Sequence, residues 1–247
     1  MDKKEHIALC IVERLQESGY DAYWVGGCVR NMLMGLPSDD IDIATSAPAE
    51  IVMNHFPRTI PVGVQFGVVI ILENDVQTEV ATFRSDGEYL DYRHPVEVHF
   101  SSAKEDAKRR DFTINSLFYD PVKKELYDFV EGRKDLKAGI IRCIGDPDKR
   151  FREDPLRMLR AIRFANRYDF TIEPDTWKAL KMNAFLIEHV SKERIREELT
   201  KTFSGPKAGM ALKRMDESGM LRIILPEVAD MKGVSQPEKF HPEGDVF

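Results

Sequence analysis

The spacing of apolar residues changes character between residues 138 and 150, and this limits the folds open to the 247-residue chain more than any other feature. Before that point, short runs of period two alternate with helical stretches. Beyond it helical periodicity dominates, over Asp154–Tyr168, Asp175–Asn183, Lys192–Phe203 and Pro206–Met220. Gly139, Gly145 and Pro147 cluster at the change, as expected of a domain boundary. The pattern predicts an α+β chain, with a small mixed, largely antiparallel sheet and flanking helices followed by an all-helical part.

Within the first part, Lys4–Ser18 carries Ile7, Ile11, Val12 and Leu15 at helical spacing and stops at Gly19. Ala22–Val25 is a short strand that runs into Gly26-Gly27, and Asp40–Thr45 alternates like a strand. Ala47-Pro48 opens a further helix. Gly67–Leu72 and Thr78–Phe83 read as paired strands around the turn Glu73-Asn-Asp75. Lys104–Asn115 reads as a charged helix, and Ser116–Tyr119 and Leu126–Val130 as short strands. No internal repeat or low-complexity tract is present.

Composition narrows the classes. Apolar runs such as Gly67–Leu72 are far shorter than the ~20 residues of a membrane helix, and the N-terminus has no apolar signal core. A soluble, cytoplasmic protein is expected. The three cysteines, Cys10, Cys28 and Cys143, form no C-x-x-C pair, which fits a reduced compartment without structural zinc. A net charge of −6 argues weakly against a nucleic-acid-coated surface, although a basic stripe acts locally.

Chemistry concentrates in a few places. Asp40 and Asp42, two apart on a strand, share a face, so their carboxylates can converge on one or two divalent cations. A solvated strand edge would carry the same pattern. Glu79 would complete a carboxylate triad if its strand lies beside the first; alone it reads as a solvent-facing residue. Gly26 and Gly27 at a helix start let backbone N–H groups approach an anion, and Arg30 adds a cation one turn in.

Gly26-Gly-Cys-Val-Arg30 followed by Asp40-Ile-Asp42 resembles the signature of the class II nucleotidyltransferases of the polymerase β superfamily. That group holds tRNA CCA-adding enzymes, CC-adding and A-adding relatives, and bacterial poly(A) polymerases. Three more segments resemble its motifs in order: Arg109-Arg-Asp-Phe-Thr-Ile-Asn115, Arg152-Glu-Asp-Pro-Leu-Arg157 running on to Phe164, and Ser191–Glu198. The likeness spans residues 20 to 204. One departure is Asn31, where the family usually has Asp; an amide hydrogen-bonds but cannot neutralise Arg30.

The resemblance implies a catalytic head over 1–140, a base-recognising helical neck over 141–204 and the start of a helical body over 205–247. It implies attack of an RNA 3′-hydroxyl on the α-phosphate of CTP or ATP, with pyrophosphate leaving. Asp40 and Asp42 would hold two Mg²⁺ ions ~3.5–4 Å apart, and Glu79 would be a third ligand or help deprotonate the hydroxyl. Gly26, Gly27, Arg30 and Arg110 would contact the triphosphate. Asp111 and Asn115, at i and i+4 of a helix, would suit a ribose, unless they are a plain surface pair. Asp154 and Arg157 would read the base: cytosine and adenine each present an amino donor beside a ring-nitrogen acceptor, which a carboxylate and a guanidinium match. An ordinary i, i+3 ion pair has the same spacing.

Arg157, Arg160, Arg163 and Arg167 fall within one helical arc, and residues 142–167 carry eight basic and four acidic side chains. Such a stripe is either a solvated face or the lining of a triphosphate and RNA cleft. Arg84–Phe100 resembles the flexible loop used by family members in switching from C to A addition. The closing His241–Phe247 looks like the lead-in to a phosphohydrolase-type domain behind some members, so a longer natural protein is expected. The partner implied is the 3′ end of tRNA. A poly(A) polymerase is the alternative enzyme, a catalytically silent RNA-binding module the non-enzyme alternative, and a phosphohydrolase fragment the weakest.

Overall fold

A computed structural model describes residues 2–87, 89, 91–92, 95–236 and 239. Backbone contacts divide the chain into two compact units, Met1–Leu90 with His94–Ala138, and Asp91–Arg93 with Gly139–Phe247.

The first unit opens with α1 (Lys3–Glu17), started by a capping box in which the Asp2 carboxylate accepts from Glu5 N at 2.8 Å and Glu5 accepts from Asp2 N at 3.0 Å. Next come β1 (Ala22–Val25), α2 (Gly27–Leu33), β2 (Asp42–Thr45) and α3 (Ala49–His55). β3 (Thr59–Gly63), β4 (Val68–Glu73) and β5 (Val76–Thr82) follow, then β6 (Arg84–Asp86), β7 (Val98–Phe100) and α4 (Ala103–Arg109). β8 (Leu117–Asp120), β9 (Glu125–Asp128) and α5 (Gly132–Ala138) complete the unit. The seven-stranded sheet has the order β3-β4-β5-β2-β1-β8-β9. All its pairings are antiparallel except β2 with β5, so the α+β expectation holds. The β4–β5 turn places Asn74 and Asp75 at φ 49° and 63°, the left-handed pair a tight hairpin wants.

Alternation along the strands sorts the two sheet faces. Ile43, Val69, Ile71 and Val80 pack with Ile7, Ile11 and Leu15 of α1, Val29 of α2 and Val52 of α3. On the opposite face Val25, Ala44, Phe83 and Phe118 pack with Ala107 of α4. Asp42, one residue from Ile43, therefore belongs to the second face.

The segment expected as a flexible loop is a ribbon at its base. β6 pairs antiparallel with β7 (Arg84 with Phe100, Ser85 with His99, Asp86 with Val98), and Tyr89 bridges Pro95. Gly87 and Pro95 hid this pairing in the sequence. Residues 88, 90, 93 and 94 lie outside the described residues, as do 241–247 and the phosphohydrolase-like expectation attached to them.

The second unit comprises β10 (Ile140–Ile141), α6 (Pro147–Glu153), α7 (Leu156–Tyr168), β11 (Thr171–Ile172) and α8 (Pro174–Asn183). It continues with α9 (Lys192–Phe203), α10 (Ala208–Glu217), α11 (Met220–Ile224) and α12 (Pro226–Ala229). Its core includes Phe151, Met158, Ile162, Leu180, Ile187, Met215 and Leu221. The helix expected from Asp154 starts at Leu156, because Pro155 disfavours helical backbone in the residue before it. Asp154 is extended at φ −149° and ψ 99°. Among the described residues no helix is long and apolar enough to cross a membrane.

Candidate active site

The site forms where β1 ends. Gly26 lies between β1 and α2 at φ 75° and ψ −131°, a conformation that L side chains rarely adopt. A Cβ there would lie 3.6 Å from Arg110 Nη1 and 4.0 Å from both Asp42 Oδ2 and the Asn115 carbonyl oxygen. The backbone thus leaves a gap in which a carboxylate, a guanidinium and a carbonyl converge. Gly26→Ala is expected to cost about 1–3 kcal/mol, from the strained backbone conformation and not from crowding, since the added Cβ would make only ordinary contacts. Denaturant unfolding of the variant checks this, and unchanged stability would count against a strained backbone at Gly26.

Parallel pairing of Ile43 with Val80 brings the preceding residues, Asp42 and Glu79, side by side on one sheet face. Loss of hydration, then the Glu79 charge, push the Asp42 carboxyl up to about 6; Arg110 pulls it down and Asp40 adds to the rise. Asp42 nevertheless keeps an exposed side.

Asp40 departs from expectation. β2 begins at Asp42, and the Asp40 side chain is 81% exposed with a carboxylate oxygen 3.7 Å from Lys4 Nζ. Like charges on one strand face repel, and Lys4 supplies Asp40 with an opposite charge. The structure thus joins Asp42 with Glu79, while Asp40 sits at the rim. Among the described residues no group of three or more His, Cys, Asp or Glu side chains is gathered as a metal cluster.

Arg30 is buried. It donates to Asn31 Oδ1 at 3.2 and 2.9 Å and to Asn115 Oδ1. Asn31 in turn donates to the Pro37 carbonyl at 3.0 Å, and Asn115 donates to Asp111 Oδ1 at 3.1 Å. Asn31 is therefore a direct acceptor for Arg30, and the chain of bonds anchors Asp111. Gly27 lies against this guanidinium, its Cβ position 3.5 Å from Arg30 Nη2. Asp111 and Asn115 do meet, but not on one α-helix: α4 ends at Arg109, Arg110 is extended, and a 3₁₀ turn over Thr113–Asn115 brings the pair together. Burial of Phe112 holds the extended link.

In the second unit, Asp154 and Arg157 each have other partners. Asp154 accepts from Leu156 N at 3.1 Å at the start of α7 and takes a two-point ion pair from Arg194 of α9, at 3.2 and 2.8 Å. Arg157 donates to Glu153 at 2.8 Å and to the Arg150 carbonyl at 3.1 Å. Arg163 is buried against Glu198 and lies 4.2 Å over the Phe164 ring; Arg160 lies 5.3 Å over the same ring. The expected open stripe is thus partly internal, because acidic partners on α6 and α9 take up Arg157 and Arg163. Arg167 is exposed. An apolar groove of about 920 Å³ in this unit, lined by Ile187, Val190, Leu199 and Phe203 among others, holds none of the expected site residues.

Sequence reading missed Arg194 as the partner of Asp154 and Asp106 as the partner of Arg109 and Arg110. The second was visible in principle, since residues three and four apart on a helix are neighbours.

Residues 22–142 match the model of the poly(A) polymerase head domain, and residues 169–232 match that of a probable RNA- and SrmB-binding site of polymerase A. The chain belongs to the tRNA nucleotidyltransferase and poly(A) polymerase family of the polymerase β superfamily. It is 47% identical over 223 residues to a CCA-adding enzyme of Geobacillus stearothermophilus, covering 90% of this chain and 55% of that protein. It is 47% identical over 206 residues to one of Ligilactobacillus salivarius, covering 82% and 51%. The crystal structure of the Bacillus stearothermophilus CCA-adding enzyme in complex with CTP superimposes with a TM-score of 0.82 at 43% identity, over 89% of this chain and 53% of that one. The Thermotoga maritima CCA-adding enzyme complexed with tRNA(CCA) gives 0.77 at 29% identity, over 92% and 54%. The chain spans about half the length of the curated relatives it matches.

Proposed function

We propose that this chain carries the catalytic head (1–140), neck (141–204) and start of the body (205–247) of a cytoplasmic, template-independent RNA nucleotidyltransferase. The enzyme adds C and/or A to the 3′ end of tRNA: the RNA 3′-hydroxyl attacks the α-phosphate of CTP or ATP and pyrophosphate leaves. The observation that supports this most is the meeting of Asp42 and Glu79 across β2 and β5, with Gly26 and Arg110 at the same point.

The donor set fits Mg²⁺, a hard cation that takes carboxylate oxygens. Asp42's rise to about 6, caused partly by Glu79, marks a pair that gains from an added positive charge. Asp42 and Glu79, with Asp40 at the rim, would hold the metal, which when bound supplies charge neutralisation at the reacting phosphate and a more acidic hydroxyl. Arg110 and the open backbone at Gly26 and Gly27 receive the triphosphate. Arg30 acts from behind, holding Asn115 and through it Asp111, which face the ribose. Asp154 and Arg157 read the base, each steadied by its own ion pair, and Arg160 and Arg163 support the same helix.

Base choice tests the reading. Uracil and guanine present a carbonyl beside an N–H, which the Asp154–Arg157 pair repels. At ~1–3 kcal/mol per contact, Asp154→Ala is expected to relax selection against UTP and GTP by ~5- to 150-fold. Competing incorporation of all four nucleotides measures this, with Asp154→Asn as the variant that retains an acceptor for Leu156 N. Unchanged selectivity at comparable rates would remove the base-reading role. The head-domain match keeps poly(A) polymerase as the second reading, and it differs by extending any RNA with repeated A.

A further inference from the structure

Asp106 lies on α4, ahead of the Arg110–Asn115 segment, yet its side chain is only 1% exposed. A carboxylate at that depth is costly unless its oxygens are well partnered. Oδ2 accepts from Arg110 Nε at 3.1 Å and Nη2 at 2.9 Å. Oδ1 accepts from Arg109 Nε at 2.8 Å and from the backbone N–H of Arg84 at 3.3 Å. Burial alone would raise its pKa, but the charges of Arg110 and Arg109 and their hydrogen bonds outweigh it and hold the carboxyl below its ordinary value.

This geometry decides where Arg110 points. Two of its three nitrogens are held by one oxygen of Asp106, the guanidinium carbon lies 5.1 Å from the centre of the Phe118 ring, and Nη1 is directed to Gly26 beside Asp42. A long side chain otherwise samples many rotamers, at an entropic cost on binding. The other oxygen of Asp106 ties the same point to the ribbon. It accepts from the backbone of Arg84, the first residue of β6, while Arg109 lies 3.9 Å from Asp86.

We propose that Asp106 is a positioning residue, which pre-orients Arg110 toward the triphosphate of the incoming nucleotide and fixes it relative to the base of the β6–β7 ribbon. The inference rests on the nucleotidyltransferase reading above. Asp106 touches no substrate; it acts through Arg110. Asn at this position keeps the size and an acceptor for Arg84 N but loses the charge that grips the guanidinium.

The test is a double-mutant cycle on the whole chain, measuring KM for CTP and kcat with a tRNA primer lacking its 3′ CCA, alongside thermal unfolding. Asp106→Asn is expected to raise KM roughly tenfold with a smaller change in kcat, as expected for lost binding. In an Arg110→Ala background the same substitution should change KM less than about twofold, because the route through Arg110 is already gone. Asp106→Glu, which keeps the charge but sets the carboxylate one methylene further out and so re-aims the Arg110 guanidinium, carries the same comparison if Asp106→Asn does not fold. A wild-type KM in Asp106→Asn, or equal effects in both backgrounds, would overturn the assignment and leave Asp106 a structural residue. A wild-type chain that binds and incorporates no CTP would instead overturn the parent reading, and this one with it.

Discussion

Asp42→Asn is expected to lower nucleotide incorporation by about a thousandfold or more while stabilising the metal-free protein above pH 6. The activity loss follows from the charge that a metal-holding carboxylate contributes: several kcal/mol of transition-state stabilisation pass through such a centre, and ~4 kcal/mol corresponds to ~1,000-fold. The stability gain follows from the raised pKa. Between the ordinary carboxylate value of about 3.9 and about 6, folded protein holds a proton that the unfolded chain has released. The contribution of this group to stability is therefore largest below the ordinary value and is lost as pH rises through about 6. Asparagine removes that loss, so the variant gains on wild type above pH 6 and the difference closes below about pH 4. Its size is modest because Asp42 keeps an exposed side. Added Mg²⁺ should raise the melting temperature of wild type and not of the variant. Near wild-type incorporation by Asp42→Asn would remove the metal assignment.

Arg163→Met is expected to destabilise the protein by about 3–5 kcal/mol, because it leaves the Glu198 carboxylate buried without its cation. The two side chains are only 9% and 4% exposed, and Arg163 also lies over Phe164. At ~2–4 °C per kcal/mol for a chain of this size, the melting temperature should fall roughly 10 °C. Adding Glu198→Leu should recover most of the loss, since an apolar pair of similar volume is often as stable as a buried ion pair. Urea unfolding of the two variants checks both statements. A loss below about 1 kcal/mol for Arg163→Met would mean that the pair is open to water.

What the sequence made legible was the order of its short motifs. Gly26 follows β1, and Arg30 and Asp42 lie on α2 and β2, as their spacing suggested, because the turn residues and period-two runs between them are local signals. Pairing was harder. That Glu79 joins Asp42 depends on the parallel register of β2 and β5, which is set by Ile43 and Val80 packing into one core and not by either acidic residue. Asp40 lies just outside β2 instead of on it, and an alternating run does not reveal its partner Lys4, far away on α1. The helices expected through Asp111 and from Asp154 were broken by a buried Phe112 and by Pro155, where tertiary packing and proline sterics override periodicity. Asp106 looked like one more charge on a solvated helix, since burial of a carboxylate leaves no mark in the sequence.

The most direct test of nucleotide transfer at this site is Mg²⁺-dependent incorporation of labelled CTP and ATP, supplied separately. The primers would be tRNAs ending at the discriminator base, after one C and after two Cs, with an unstructured RNA as control. The expected result is C addition to the first two primers, A addition to the third, or one of these steps alone, and no extension of the unstructured RNA. Repeated A addition to every RNA, or no incorporation by a folded chain on any primer, would contradict it.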